Sequence, residues 1–157
     1  MPKKFTEEEY AKILPKKRVG AGVLFFNTKG ELLIVKPDYR KEWLVPGGVT
    51  DENESPLHSA VREVKEEIGL DVTELKLVGV YYGPKNGIFT DSLKFIFSGG
   101  VLTEDQIARI KLQKEELEEY RFVSIENALS VLSISLQKSI PACLKAIKNK
   151  TVAYIEI

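Results

Sequence analysis

The segment from Gly48 to Leu70, GVTDENESPLHSAVREVKEEIGL, constrains the chain more than any other, because it fixes three carboxylates on one short helix. Ser55 is a good N-cap, Pro56 suits the first helical position, and Gly69 follows the last periodic residue as a stop. Leu57, Val61, Val64 and Ile68 recur at spacings of four, three and four, which predicts one buried stripe. Glu63, Glu66 and Glu67 fall elsewhere, within about 100° of one another on the same wheel. Glu63 and Glu67 make a like-charge i,i+4 pair that costs roughly a few tenths of a kcal/mol. The helix lacks cationic partners for all three, and a bound cation would turn the repulsion into attraction. Mg²⁺ suits such a place: it takes a few carboxylates, keeps several waters and fills its shell with phosphate oxygens.

The rest of the composition narrows the choice of metal and partner. Cys143 and His58 are the single Cys and His, so the chain has no internal disulfide and no ordinary zinc set. Any metal should therefore have oxygen ligands. The 23 basic and 23 acidic side chains cancel, which argues against a nucleic-acid polymer as partner and for a small charged substrate. With 157 residues and 43% hydrophobic residues the chain is expected to form one domain over 1–157, with a helical extension at 1–16. Thr6-Glu7-Glu8-Glu9 is unlike a secretory signal and no apolar run is long enough to span a membrane, so a cytoplasmic location is expected and no membrane partner.

Along the chain, Thr6 and Glu9 form a capping box for a short helix whose Tyr10, Ile13 and Leu14 are expected to pack inward, as a lid on the sheet or an oligomer contact. Arg18 to Phe26 and Glu31 to Lys36 read as a hairpin about the turn Asn27-Gly30. Pro37 to Lys41 reads as a solvated loop, although Arg40 and Lys41 could meet a phosphate. Trp43 to Val45 leads into Pro46-Gly47-Gly48, where the glycines let a backbone carbonyl approach a ligand. Leu75 to Tyr82 and Ser92 to Gly99 are expected strands, with Leu93, Phe95 and Phe97 on one face and Lys94, Ile96 and Ser98 on the other. Thr103 caps a helical turn through Ile110, Lys114 to Glu119 reads as a solvated acidic run, and Tyr120 to Val123 is a short strand. Ser124 caps a helix toward Leu132, a last helix covers much of Leu136 to Lys148 with Pro141 starting or kinking it, and Thr151 to Ile157 is an edge strand. Tyr81 and Tyr82 read as ordinary sheet packing, and His58 as a surface or packing residue.

Gly48, Glu54, Arg62, Glu63, Val64, Glu66, Glu67, Gly69 and Leu70 together match G-x5-E-x7-R-E-U-x-E-E-x-G-U, with U aliphatic, at every position. This resembles the box of the Nudix hydrolases, and the order of elements on both sides is also Nudix-like. The resemblance implies an α/β fold, an α/β/α sandwich with a mixed sheet and the box as a loop-helix-loop. It implies hydrolysis of a pyrophosphate bond in a nucleoside diphosphate linked to another group, with Mg²⁺ as cofactor and Mn²⁺ as a substitute. By the same resemblance Glu66 and Glu67 are metal ligands, Glu63 is a further ligand or the base, the carbonyl at the Gly47-Gly48 pair often joins them, Arg62 positions a carboxylate, and Glu54 holds the loop. A downstream glutamate commonly completes such sites, here Glu116 or Glu119. A homodimer is common in the family.

The box says little about the leaving group. Pro84, fifteen residues past Gly69, resembles the pattern of ADP-ribose-type pyrophosphatases, whereas a compact chain suits a nucleoside triphosphate pyrophosphatase. The rival class is a Nudix domain without catalysis that binds a nucleotide or sugar-nucleotide as a sensor. Such domains commonly lose box glutamates, and all of them stand here.

Overall fold

The two strands first read from the sequence are apolar at nearly every position, the mark of strands covered on both faces. The computed structural model describes residues 4 to 157 and bears this out. The elements in chain order are α1 (Glu7–Ile13), β1 (Arg18–Phe26), β2 (Leu32–Pro37), β3 (Gly47–Val49), α2 (Pro56–Ile68), β4 (Lys76–Gly83) and β5 (Ser92–Val101), then α3 (Glu104–Ala108), β6 (Leu117–Val123), α4 (Ile125–Val131), α5 (Ile134–Asn149) and β7 (Ala153–Glu156). The strands form one sheet in the order β6-β2-β1-β5-β4-β7, with β3 paired to β1. β1 with β5 and β4 with β7 run parallel and the other pairs antiparallel, so the sheet is mixed.

Strand alternation divides the core in two. Ala21, Val23 and Phe25 of β1 and Leu33 and Val35 of β2 pack on Ala60, Val64 and Ile68 of α2. Leu24, Leu32, Ile34 and Ile96 face the other way and meet Leu136, Ile140 and Cys143 of α5. The result is the expected α/β/α sandwich.

β1 and β2 begin as the expected hairpin and then separate. Their Cα register holds only Phe26 with Leu32. Farther along, residues 43–49 enter between them: Leu44 exchanges both backbone hydrogen bonds with Val35, Val23 N–H donates to the Pro46 carbonyl at 2.8 Å, and Gly47 to Val49 pairs with Gly20 to Gly22. Gly47 has a φ of +152°, and a Cβ there would collide with the Ala21 carbonyl and Gly22 Cα. Glycine at 47 is thus what lets the wedge seat against β1. The other end of the wedge is tied to the α4–α5 junction, since Trp43 N–H donates to the Val131 carbonyl and Ser133 N–H to the Trp43 carbonyl.

Several expectations need correction. α1 has its capping box, but Tyr10, Ile13 and Leu14 are 54%, 57% and 45% exposed, and the helix buries none of its residues. On α2 the buried face is turned from part of the expected stripe: Val64 and Ile68 are buried as expected, but Leu57 is exposed, while Ser59, Ala60 and Glu67 are buried where the helix packs on β1 and β3. The acidic run is not solvated throughout. Leu117 enters the core and starts β6 three residues early, leaving 114–116 exposed. Pro141 does not start α5, which begins at Ile134 and runs through it. The bond that Pro141 cannot give to the Gln137 carbonyl is offset by burial of Leu136, Ile140 and Cys143 on either side.

Candidate active site

α2 is written locally. Ser55 Oγ accepts His58 N–H at 3.1 Å, Pro56 opens the helix, and Gly69 closes it at a φ of 74°. Before it, residues 50–54 are folded back on β1 and on themselves. Thr50 N–H donates to the Val19 carbonyl at 2.9 Å, and Asp51 N–H donates to Glu54 Oε2 at 2.9 Å.

Arg62 organises this loop. Its Nε donates to Glu54 Oε1 at 2.8 Å and its Nη2 to Glu54 Oε2 at 2.9 Å, a bidentate pair. The Arg62 guanidinium and the Asp51 N–H hold the Glu54 carboxyl down at about 2, and the same partner raises Arg62. Arg62 Nη1 donates to Glu63 Oε1 and to Glu66 Oε2, each at 3.1 Å. The sequence reading left these carboxylates short of cations; one guanidinium in fact serves Glu54, Glu63 and Glu66.

Glu67 is treated differently. It is 8% exposed and has no ion pair among the described residues. Its Oε2 accepts Gly47 N–H at 2.9 Å. Burial pushes its carboxyl up to about 8, the Gly47 N–H and Lys94 opposing, Glu63 and Glu116 adding to the rise. Glu63 is also raised, first by burial, with Arg62 opposing. Gly48 lies directly against Glu63, since a Cβ there would strike the Glu63 carboxylate. The wedge therefore delivers two backbone groups to the acid cluster, Gly47 N–H to Glu67 and Gly48 to Glu63.

The downstream candidates part company. Gln113 N–H donates to the Glu67 carbonyl and Lys111 N–H to the Ile68 carbonyl, so the segment after α3 is tied to the end of α2. That brings Glu116 within electrostatic reach of both Glu63 and Glu67. Glu119 instead lies in β6 opposite Lys36 and accepts Arg121 Nε at 2.6 Å. Arg40 Nε donates to Glu42 Oε2 at 3.3 Å, and its charge also reaches Tyr39, Tyr81 and Lys94. Lys94 was missed as a site residue. The signal was present: one lysine inside the apolar run Leu93 to Phe97 of a central strand.

Among the described residues no three such side chains yet converge on a point, because Arg62 holds Glu63 and Glu66. The donors nevertheless fit a hard divalent cation. They are all oxygen, and the second oxygen of the buried Glu67 carboxylate has no hydrogen bond among the described residues.

A sequence model of the NUDIX domain matches residues 16–143, so this chain belongs to the NUDIX domain family. It is 30% identical over 132 residues to an uncharacterized Nudix hydrolase of Pseudomonas aeruginosa, covering 79% of this chain and 70% of that protein. To an RNA pyrophosphohydrolase of Hydrogenovibrio crunogenus it is 36% identical over 62 residues, 40% of this chain and 38% of that protein. The chain spans less than half the length of several curated relatives that it matches. The solved MutT protein from Methanosarcina mazei superposes with a TM-score of 0.68 at 25% identity, over 87% of this chain and 98% of that one. No helix among the described residues is long and apolar enough to cross a membrane.

Proposed function

We propose that the chain is a Mg²⁺-dependent pyrophosphohydrolase that cleaves a nucleoside diphosphate linked to another moiety, of ADP-ribose or sugar-nucleotide type or a nucleoside triphosphate. The observation that carries this reading is Glu67: a carboxylate buried, raised and without an ion pair among the described residues, beside two other glutamates and Gly47 of β3. A protein accepts such a cost where a charge must be received.

The reaction is attack by water on a phosphorus that already carries negative charge. Glu63, Glu66 and Glu67, with the Gly48 carbonyl and Glu116, would hold the divalent ion; Mn²⁺ substitutes for Mg²⁺. When bound, the ion neutralises phosphate oxygens, lowers the pKa of water and orients it. The chain's own residues prepare this place. Arg62 fixes Glu54 and thereby the loop, and restrains the Glu63 and Glu66 carboxylates. Glu67, raised by burial to about 8, holds its proton at neutral pH. Glu63 is raised by burial, which suits it to take the proton of the attacking water.

The test is hydrolysis of a panel comprising ADP-ribose, sugar nucleotides, dinucleoside polyphosphates and normal or oxidised nucleoside triphosphates, with Mg²⁺ and with EDTA. AMP plus ribose phosphate identifies ADP-ribose chemistry; a monophosphate plus pyrophosphate identifies triphosphate chemistry. Binding without turnover of any member would replace the enzyme by the sensor.

A further inference from the structure

Lys94 stands near the middle of the sheet, with Gly20 of β1 on one side and Tyr81 of β4 on the other. Alternation with Ile96 sends it to the α5 face, where Tyr81 is buried. Gly20 has no side chain, and the lysine lies across the space this leaves. A Cβ on Gly20 would sit 3.3 Å from Lys94 Cε and 2.9 Å from the Gly48 carbonyl oxygen. The lysine stem and the wedge thus meet over the same glycine. Lys94 is partly buried, yet among the described residues its ammonium has neither a hydrogen bond nor an ion pair.

The charges around it have both signs. Glu67 and Glu63 favour the ammonium, Arg40 and Arg18 oppose it, and burial disfavours it most. A cation taken from water without a partner is costly, and a small-to-apolar replacement would remove the cost. The position instead keeps a point charge on the far side of the sheet from α2, next to the backbone that carries Gly48. The group that this arrangement lacks is an anion.

We propose that Lys94 is a substrate-binding residue that holds a phosphate of the nucleotide beside the Gly48 carbonyl. This rests on the pyrophosphohydrolase reading. A lysine fits the role better than an arginine, since its compact ammonium needs only the width left by Gly20.

The experiment compares wild type, Lys94→Met and Lys94→Gln with a Lys76→Met control near the start of β4. ADP and adenosine are titrated into each, in Mg²⁺ and in EDTA, by calorimetry and NMR chemical shifts. Lys94→Met and Lys94→Gln should each weaken ADP about 10- to 100-fold, the loss of one charge-assisted contact, with adenosine affinity unchanged and thermal stability retained or raised. Lys76→Met should bind ADP as wild type does. ADP affinity within twofold of wild type in both Lys94 variants overturns the assignment. An equal loss for ADP and adenosine also overturns it, because Lys94 would then be packing only. If wild type binds neither ADP nor any of the hydrolysis panel, the pyrophosphohydrolase reading falls, and this one with it. Gln covers the case in which Met disturbs folding.

Discussion

Glu67→Gln should stabilise the ion-free protein while abolishing most of its Mg²⁺-dependent turnover. The folded carboxyl sits at about 8 against an ordinary 4.5. The folded chain therefore keeps a proton that the unfolded chain releases. Stability that is fully present below about pH 4.5 is lost as pH rises toward 8. At about 1.4 kcal/mol per pH unit the loss reaches on the order of 5 kcal/mol. Glutamine carries no proton to lose and can still accept the Gly47 N–H, so the variant escapes this loss. The assay is urea unfolding in EDTA from pH 4 to 9. The stability of Glu67→Gln minus that of wild type should grow with pH and level off above pH 8. Mg²⁺ at pH 8 should then raise the wild-type transition and leave the variant nearly unmoved. A difference that is flat with pH would refute the burial argument; equal Mg²⁺ stabilisation of both would remove Glu67 from the ion site.

Four further outcomes test other parts. Arg62→Lys cannot reproduce the bidentate hold on Glu54 together with the Glu63 and Glu66 contacts, so hydrogen exchange at Asp51 to Glu54 should quicken and turnover fall at least about tenfold, with the core intact. Gly48→Ala should displace the Glu63 carboxylate and cost activity more than stability, whereas Gly47→Ala, facing backbone, should cost about 2–4 kcal/mol by chemical denaturation. Gly79→Ala should cost about 1–3 kcal/mol because its Cβ would come 2.5 Å from Cys143 Sγ, and Cys143→Ala in that background should recover most of it. Tyr10→Ala should move the melting temperature by less than about 2 °C, since Tyr10 is 54% exposed on a helix that buries none of its residues.

The helix ends of α2 and the two faces of β5 are local signals of capping and period, and both were legible in the residues. The box glutamates were legible as well, because a like-charge i,i+4 pair is costly whatever surrounds it. Their differences were not. Nothing in Glu66 and Glu67 as neighbours says that one will lie 49% exposed against Arg62 and the other buried at Gly47. That follows from the rotation of α2 on the sheet, which buries Val64 and Ile68 of the expected stripe, leaves Leu57 exposed and turns Glu67 inward. Likewise Glu116 and Glu119 stand alike in one acidic run. Hydrogen bonds from Lys111 and Gln113 to the end of α2 turn the first toward the cluster, and pairing of β6 with β2 takes the second away. Lys94 takes its meaning from Gly20 beside it on the neighbouring strand. Sequence determines which groups carry charge and which segments are helix or strand, since these depend on near neighbours. Which charges meet, and which are left in a buried place without a partner, depends on residues tens of positions apart and is decided by packing alone.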